Sequence, residues 1–317
     1  ATAALALGVV AVSGLEFSMG ASARTGTAPH AAAPALVVDV TTAPPVAGAP
    51  DDAWPLAVLA DTVAWQLDQV PSVVRTEGHA TPAPGQRVAR VVLARAGTDD
   101  GHAGFVLEAR VTLGDGRKVT LREPATDATA ARAIDALAGR LTGRLVPTLR
   151  GSPWPATPQD LGALKAYATA ARALDARDWS GAERAADAAV AAAPMYGLAH
   201  HRLAELATLR GARNEARDHA AAARAALLPL PAEADAVMAA QTAWRDDTRR
   251  GEALAAYAAL STQHPARLDF ALAHAALLIH AGDRARVDAA PPRKSAVPRT
   301  VDLTTRRESS TTPPRRP

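Results

Sequence analysis

Hydrophobic positions along this chain change period several times, and each change marks a predicted element. Residues 36–40, Leu-Val-Val-Asp-Val, form a short β-branched run that reads as a buried strand. Over residues 54–70, Leu56, Leu59, Val63, Leu67 and Val70 recur at three- and four-residue steps, which places them on one face of a helix. Asp51 or Asp52 is expected to cap that helix, and Pro71 to end it. Val73-Val74 is a minimal strand, and residues 87–94, 105–113 and 118–122 supply three more. Within 105–113, Phe105, Leu107, Ala109, Val111 and Leu113 alternate with Val106, Glu108, Arg110 and Thr112, as in a strand with one solvated face. Gly114-Asp115-Gly116 carries the Asp-Gly signal of a tight hairpin. Ala131, Ile134, Leu137, Leu141 and Leu145 then restore a helical period over 127–145. The order strand, helix, strands, helix predicts a small α/β domain over residues 36–149.

A glycine- and proline-rich stretch follows at 150–160, with Gly151, Pro153, Pro155 and Pro158, and predicts a boundary between two separately folding units. Beyond it the sequence aligns with itself at 34 residues: Ala170 recurs as Ala204, and Ala182 as Ala216. After an insertion at Leu228-Pro229-Leu230-Pro231 the pattern resumes with Ala253. Pro194 and Pro265 close the first and third units, and Gly211 and Gly282 occupy the same turn within their units. Two antiparallel helices approach closely only where side chains are short, so recurring alanines predict helical hairpins. The units span 161–194, 196–228 and 232–265. Residues 268–281 supply the first helix of a fourth, whose partner starts at 284–290 and stops at Pro291-Pro292. The predicted fold class is α+β: a small α/β domain followed by an all-α solenoid of helical hairpins over 161–290.

The 34-residue spacing resembles the tetratricopeptide (TPR) family, which combines it with small residues on both helices and a proline at the unit's end. Ala170, Ala182, Ala189 and Pro194 match in the first unit, and Ala253, Tyr257 and Pro265 in the third, where Gln241 replaces the small residue of the first helix. The resemblance implies a scaffold whose first helices line a concave groove for an extended or helical peptide. Carried onto this register, it assigns Tyr167, His201, Glu205, Met238 and Arg245 to partner binding. The element order over 36–149 resembles the small α/β domain at the start of the Tol-system propeller protein. Relatives of that domain sit between a membrane helix and repeats in bacterial signalling proteins. The loop 79–86 stands where that domain has a second helix. Together the resemblances imply a non-catalytic protein- or peptide-binding scaffold or sensor segment of a bacterial membrane-anchored signalling or regulatory protein. The alternative is the regulatory C-terminal fragment of a nucleotide cyclase, a serine/threonine kinase or a winged-helix transcriptional regulator, since none of those effectors occurs in this sequence.

Composition and charge narrow the picture. The chain has 317 residues, room for about two domains, and is 48% hydrophobic but only 3% aromatic, which predicts closely packed alanine-rich helices. A net charge of +3 suggests a nucleic-acid partner until the charges are located. Residues 291–317 carry +5 and the remainder −2, so the folded body lacks the footprint that phosphate binding needs, and a third class, nucleic-acid binding, is left to the tail alone. No cysteine is present, which removes disulfides and thiolate chemistry. None of Lys118, Lys165 and Lys294 follows a glycine-rich phosphate loop, and no serine lies in a Gly-x-Ser-x-Gly turn. His200-His201 and the pair His274 and His280 are spaced so that their side chains diverge on a helix. Asp99-Asp100 and Asp246-Asp247 read as turn and helix-end residues. No catalytic residue, cofactor or metal ligand is assigned, and the chain is read as not an enzyme.

The ends complete the reading. Residues 1–17 form an apolar segment, uncharged through Leu15, read as a truncated membrane helix; a signal-peptide core or an apolar chain end are the other readings. Residues 18–35 are a flexible linker. This places the folded part in the periplasm, with the cytoplasm as the other option. Residues 291–317 are a disordered basic tail, and the chain is expected to be a fragment or to carry a non-native end near Ala290. That would leave Leu268, Leu272, Leu277, Leu278 and Ile279 on an uncapped last helix prone to self-association.

Overall fold

A computed structural model describes residues 36–43, 53–76, 87–97 and 104–280. Among these, five strands form one mixed sheet: β1 (Leu36–Thr42), β2 (Val73–Thr76), β3 (Arg87–Gly97), β4 (Phe105–Leu113) and β5 (Lys118–Ala125), in spatial order β2-β1-β3-β4-β5. β1 runs parallel to both β2 and β3, and β3, β4 and β5 form an antiparallel meander. The β4–β5 turn is the expected Asp-Gly hairpin: Gly116 takes φ +83°, and the Asp115 carboxylate accepts from the Arg117 amide at 3.0 Å.

Alternation decides which face is covered. Val38, Val91, Leu93, Phe105, Leu107, Ala109 and Val111 point to one face and are buried beneath α1 (Trp54–Asp68) and α2 (Ala130–Leu145). The opposite face carries Arg90, Arg110 and Arg122. Glu108 lies there too, yet it is buried, because Arg110 and Arg122 bracket its carboxylate. Burial pushes the Glu108 carboxyl up, but hydrogen bonds from Arg122 and Arg110 outweigh it and hold the group below its ordinary range.

Seven helices follow: α3 (Leu161–Asp175), α4 (Trp179–Ala192), α5 (Gly197–Arg210), α6 (Arg213–Leu227), α7 (Ala232–Trp244), α8 (Arg250–Gln263) and α9 (Leu268–His280), each in contact with the next. Asp160 caps α3 by accepting from the Ala163 amide, and Asp178 caps α4 by accepting from Gly181. Gly211 ends α5 in the left-handed conformation at φ +76°. Ala170, Ala182, Ala204, Ala216 and Ala253 are all buried between helices, the steric role their recurrence predicts. Gly197 is required for the same reason, since a Cβ there would come within 2.5 Å of the Leu227 side chain.

The fold is therefore mixed α/β, a sheet module followed by a helical array. The two parts are not packed as strangers. One hydrophobic core runs from Val38, Leu59 and Ile134 through Trp65 to Leu164, Tyr167, Tyr196, Leu198 and Met238. The connection between them is tied down as well. Asp135 on α2 accepts from the Thr157 amide at 3.0 Å and from its hydroxyl, and Trp154 meets Trp65 edge-on at 6.0 Å. Packing of this kind works against the expectation that residues 150–158 separate two independent folding units. Asp51 and Asp52, the loop 79–86, Asp99-Asp100, residues 1–35 and residues 281–317 lie outside the described residues; α1 begins at Trp54, with Ala53 at the N-cap position giving no side-chain cap and with Pro55 in the first turn. Among the described residues no helix is long and apolar enough to cross a membrane.

Candidate interaction site

A buried polar cluster lies where α1 meets the array. α1 is buried almost all round: Trp54, Leu56, Val58, Leu59, Val63, Trp65 and Leu67 are each buried, on more faces than a helix resting on a sheet alone would cover. The second face is taken up by α3.

Asp61 sits on that second face and accepts hydrogen bonds from the Tyr167 hydroxyl of α3 and from the Arg202 guanidinium of α5. Arg202 also donates to Glu205 at 2.6 Å, and His201 Nε2 lies 3.4 Å from the other Glu205 oxygen. Asp61 and Arg202 keep only 14% and 18% of their side-chain surface, so water screens the pair weakly. Burial pushes the Glu205 carboxyl up, but Arg202 and His201 overcome it and hold the group well below its ordinary value. Burial lowers the Arg202 guanidinium's affinity for its proton; Asp61 and Glu205 more than reverse this. The Tyr167 hydroxyl is pushed well above its usual range by burial and by the adjacent Asp61 charge. Tyr167 packs against Tyr196 with ring centroids 4.7 Å apart, and Trp65 approaches His201 at 6.5 Å.

A second clamp holds the C-terminal end of α1. Arg267, at the start of α9, donates to the carbonyl oxygens of Asp68 at 3.1 Å, Val70 at 2.9 Å and Val73 at 3.0 Å. Carbonyls at the end of a helix have no partner within it and carry the negative end of its dipole, so a cation there satisfies both needs. Asp269 and the face of Phe270, 4.2 Å from the guanidinium carbon, fix the arginine in place.

The five residues assigned to partner binding are distributed unevenly. Tyr167 and Met238 are 1% exposed and His201 6%, so these three present no surface to an incoming segment in this arrangement. Tyr167 and His201 instead face α1 through Asp61 and Trp65. Glu205 and Arg245 keep part of their surface and interact electrostatically with each other, and Arg245 donates to the Gln241 carbonyl at 3.0 Å. Asp61, Trp65, Arg202 and Arg267 were not singled out from the sequence. The available signal was in α1, where Val58 and Trp65 fall off the single apolar face that the period defines.

The interface leaves little empty space. A crevice bounded by Thr62, Trp65, Gln66, Thr157, Tyr196 and Gly197 holds about 10 Å³, room for about one water and not for a small-molecule ligand. Among the described residues no group of three or more side chains converges as a metal site. Asp246 accepts from the amide and hydroxyl of Thr248, as a helix-end residue does, and Asp247 pairs with Arg213 and Arg250. Comparison with models of known families and with curated proteins finds no match to this chain.

Proposed function

We propose that this chain is a non-catalytic scaffold of the TPR type, whose groove-facing helices recognise polypeptide, within a bacterial membrane-anchored signalling or regulatory protein. The observation that supports the reading is that α1, a helix of the chain's own sheet module, is held against α3, α5 and the start of α9 by Asp61–Tyr167, Asp61–Arg202 and the Arg267 clamp. A helix seated through one carboxylate, one aromatic edge and its terminal carbonyls uses the means by which helical arrays take helical ligands. The charged groups at this site, Asp61, Arg202 and Glu205, are paired with one another, not directed into an open cavity, which favours recognition over chemistry.

With α1 in place, an outside segment enters at the lip formed by Glu205, Gln241 and Arg245. The apolar residues 1–17 supply the anchor in this reading, and the module and array form its periplasmic part.

Selection of a displayed peptide library against the immobilised full chain tests the proposal. Recovered peptides should lose at least about tenfold in affinity on R245E, equivalent to about 1.4 kcal/mol. They should keep their affinity on R217E, a substitution of an exposed arginine on α6. Failure to recover any binder, or binders sensitive to R217E and indifferent to R245E, would overturn it. Turnover of a nucleotide or ester that tracks the protein through a second purification step, and that one side-chain substitution abolishes, would overturn the non-catalytic part.

A further inference from the structure

His200 and His219 are far apart in sequence order and on different helices, α5 and α6, yet their Nδ1 atoms lie 3.1 Å apart, with the rings 5.4 Å between centroids and inclined by 36°. The second nitrogen of His200 settles its tautomer. Nε2 lies 2.9 Å from the Pro194 carbonyl oxygen, and a carbonyl can only accept, so Nε2 carries the proton. In neutral His200 the lone pair is then on Nδ1, aimed at His219. A backbone carbonyl receiving the far N–H of an imidazole is also the arrangement that orients metal-ligating histidines and raises their basicity.

We propose that His200 and His219 form a two-imidazole site for a divalent transition metal ion of the Zn²⁺, Cu²⁺ or Ni²⁺ kind, bridging α5 and α6. Two nitrogens bound to one tetrahedral zinc at 2.0–2.1 Å stand about 3.3 Å apart, so the observed spacing needs an opening of only a few tenths of an ångström. Imidazole is the donor these borderline ions prefer. The proton between the rings moves to His219 Nε2 when the ion takes both Nδ1 lone pairs, so no net proton is released. No third ligand side chain joins the pair among the described residues, and water completes the shell. Burial and the neighbouring His200 lower the affinity of the His219 ring for a proton, outweighing Asp187 of α4 and Glu215 and Asp218 of α6, which act electrostatically on it in the opposite sense. Both rings are half-buried, so the ion has access from solvent. Bound there, it would stiffen the α5–α6 hairpin that carries Arg202 and Glu205.

Calorimetric titration of the metal-stripped full chain with Zn²⁺ at neutral pH tests the site, read together with thermal unfolding. One ion per chain should bind and raise the unfolding temperature. H200Q and H219Q should each weaken binding by at least about tenfold and remove the temperature shift. H280Q, at the exposed end of α9, should leave both unchanged. Circular dichroism of H200Q and H219Q checks that each still folds, and broadening of the His219 ring resonances by Cu²⁺ in the unmodified chain gives a readout free of any variant. Absence of binding at millimolar Zn²⁺, binding that survives H219Q, or loss on H280Q equal to that on H219Q would each overturn the proposal.

Discussion

Replacing Asp61 with asparagine removes one charge from the α1–array contact while keeping size and shape. The asparagine oxygen can still accept from Tyr167, so the change isolates the ion pair with Arg202. Removing one partner of a buried pair destabilises by about 3–5 kcal/mol, because the remaining charge is left without compensation. Two features reduce that figure here. Arg202 keeps Glu205 at 2.6 Å, and both side chains retain some exposure, 14% and 18%. About 2–3 kcal/mol is therefore expected, and at about 2–4 °C per kcal/mol for a body of this size the unfolding temperature should fall by roughly 5–10 °C. Urea denaturation of the full chain gives the free energy, and a double-mutant cycle with R202Q isolates the pair, whose coupling should be about 1–3 kcal/mol. A change below about 0.5 kcal/mol for D61N, or a cycle that is additive within that margin, would refute the assignment of this pair as a principal tie between module and array.

Arg267→Ala leaves the carbonyls of Asp68 at the end of α1, of Val70 just beyond it and of Val73 at the start of β2 without their cationic donor, so stability should fall by about 2–3 kcal/mol and amides of residues 69–76 should exchange faster in deuterium; unchanged exchange would contradict the clamp. Gly197→Ala places a methyl against Leu227 and should destabilise by about 1–3 kcal/mol. Gly139→Ala, inside α2 with open space around it, should stabilise by about 0.5–1 kcal/mol; the same denaturation series reads both signs. Burial raises the Asp135 carboxyl above its ordinary 3.8 despite hydrogen bonds from Thr157, so the folded state binds this proton more tightly than the unfolded one. Stability from this group should then fall as pH rises from about 3.8 through the raised value, and D135N should remove that slope in a pH series of melts.

Local pattern carried a large part of the fold. β4 occupies the residues its alternation marks, and the Asp-Gly hairpin and the buried alanines of α3, α4, α5, α6 and α8 lie where their spacing puts them. Boundaries moved where a partner strand or a local turn took over. β3 extends to Gly97 and β5 to Ala125 because β4 pairs with β3 along its full length and with β5 from Phe105 to Thr112, and Pro124 is tolerated on the sheet's edge. α2 begins at Ala130, after Thr129 accepts from the Thr126 amide in a turn. The tie between the two parts was beyond reach for a different reason. Asp61 and Arg202 are 141 residues apart, and no local period couples them. Reading α1 as a one-faced helix set Val58 and Trp65 aside. An apolar helix whose only carboxylate before its last residue is Asp61 has the pattern of a helix covered on two sides.

If α1 seats the array on the sheet module, the two unfold as one cooperative body. Native-state hydrogen exchange across a urea series measures this directly. Core amides of α1, within residues 56–67, of α3, within 163–170, and of α5, within 199–207, should open with one common free energy and urea dependence, and R202Q should lower all three together. Array amides that stay protected while the sheet module exchanges, or an R202Q effect confined to α5, would contradict it.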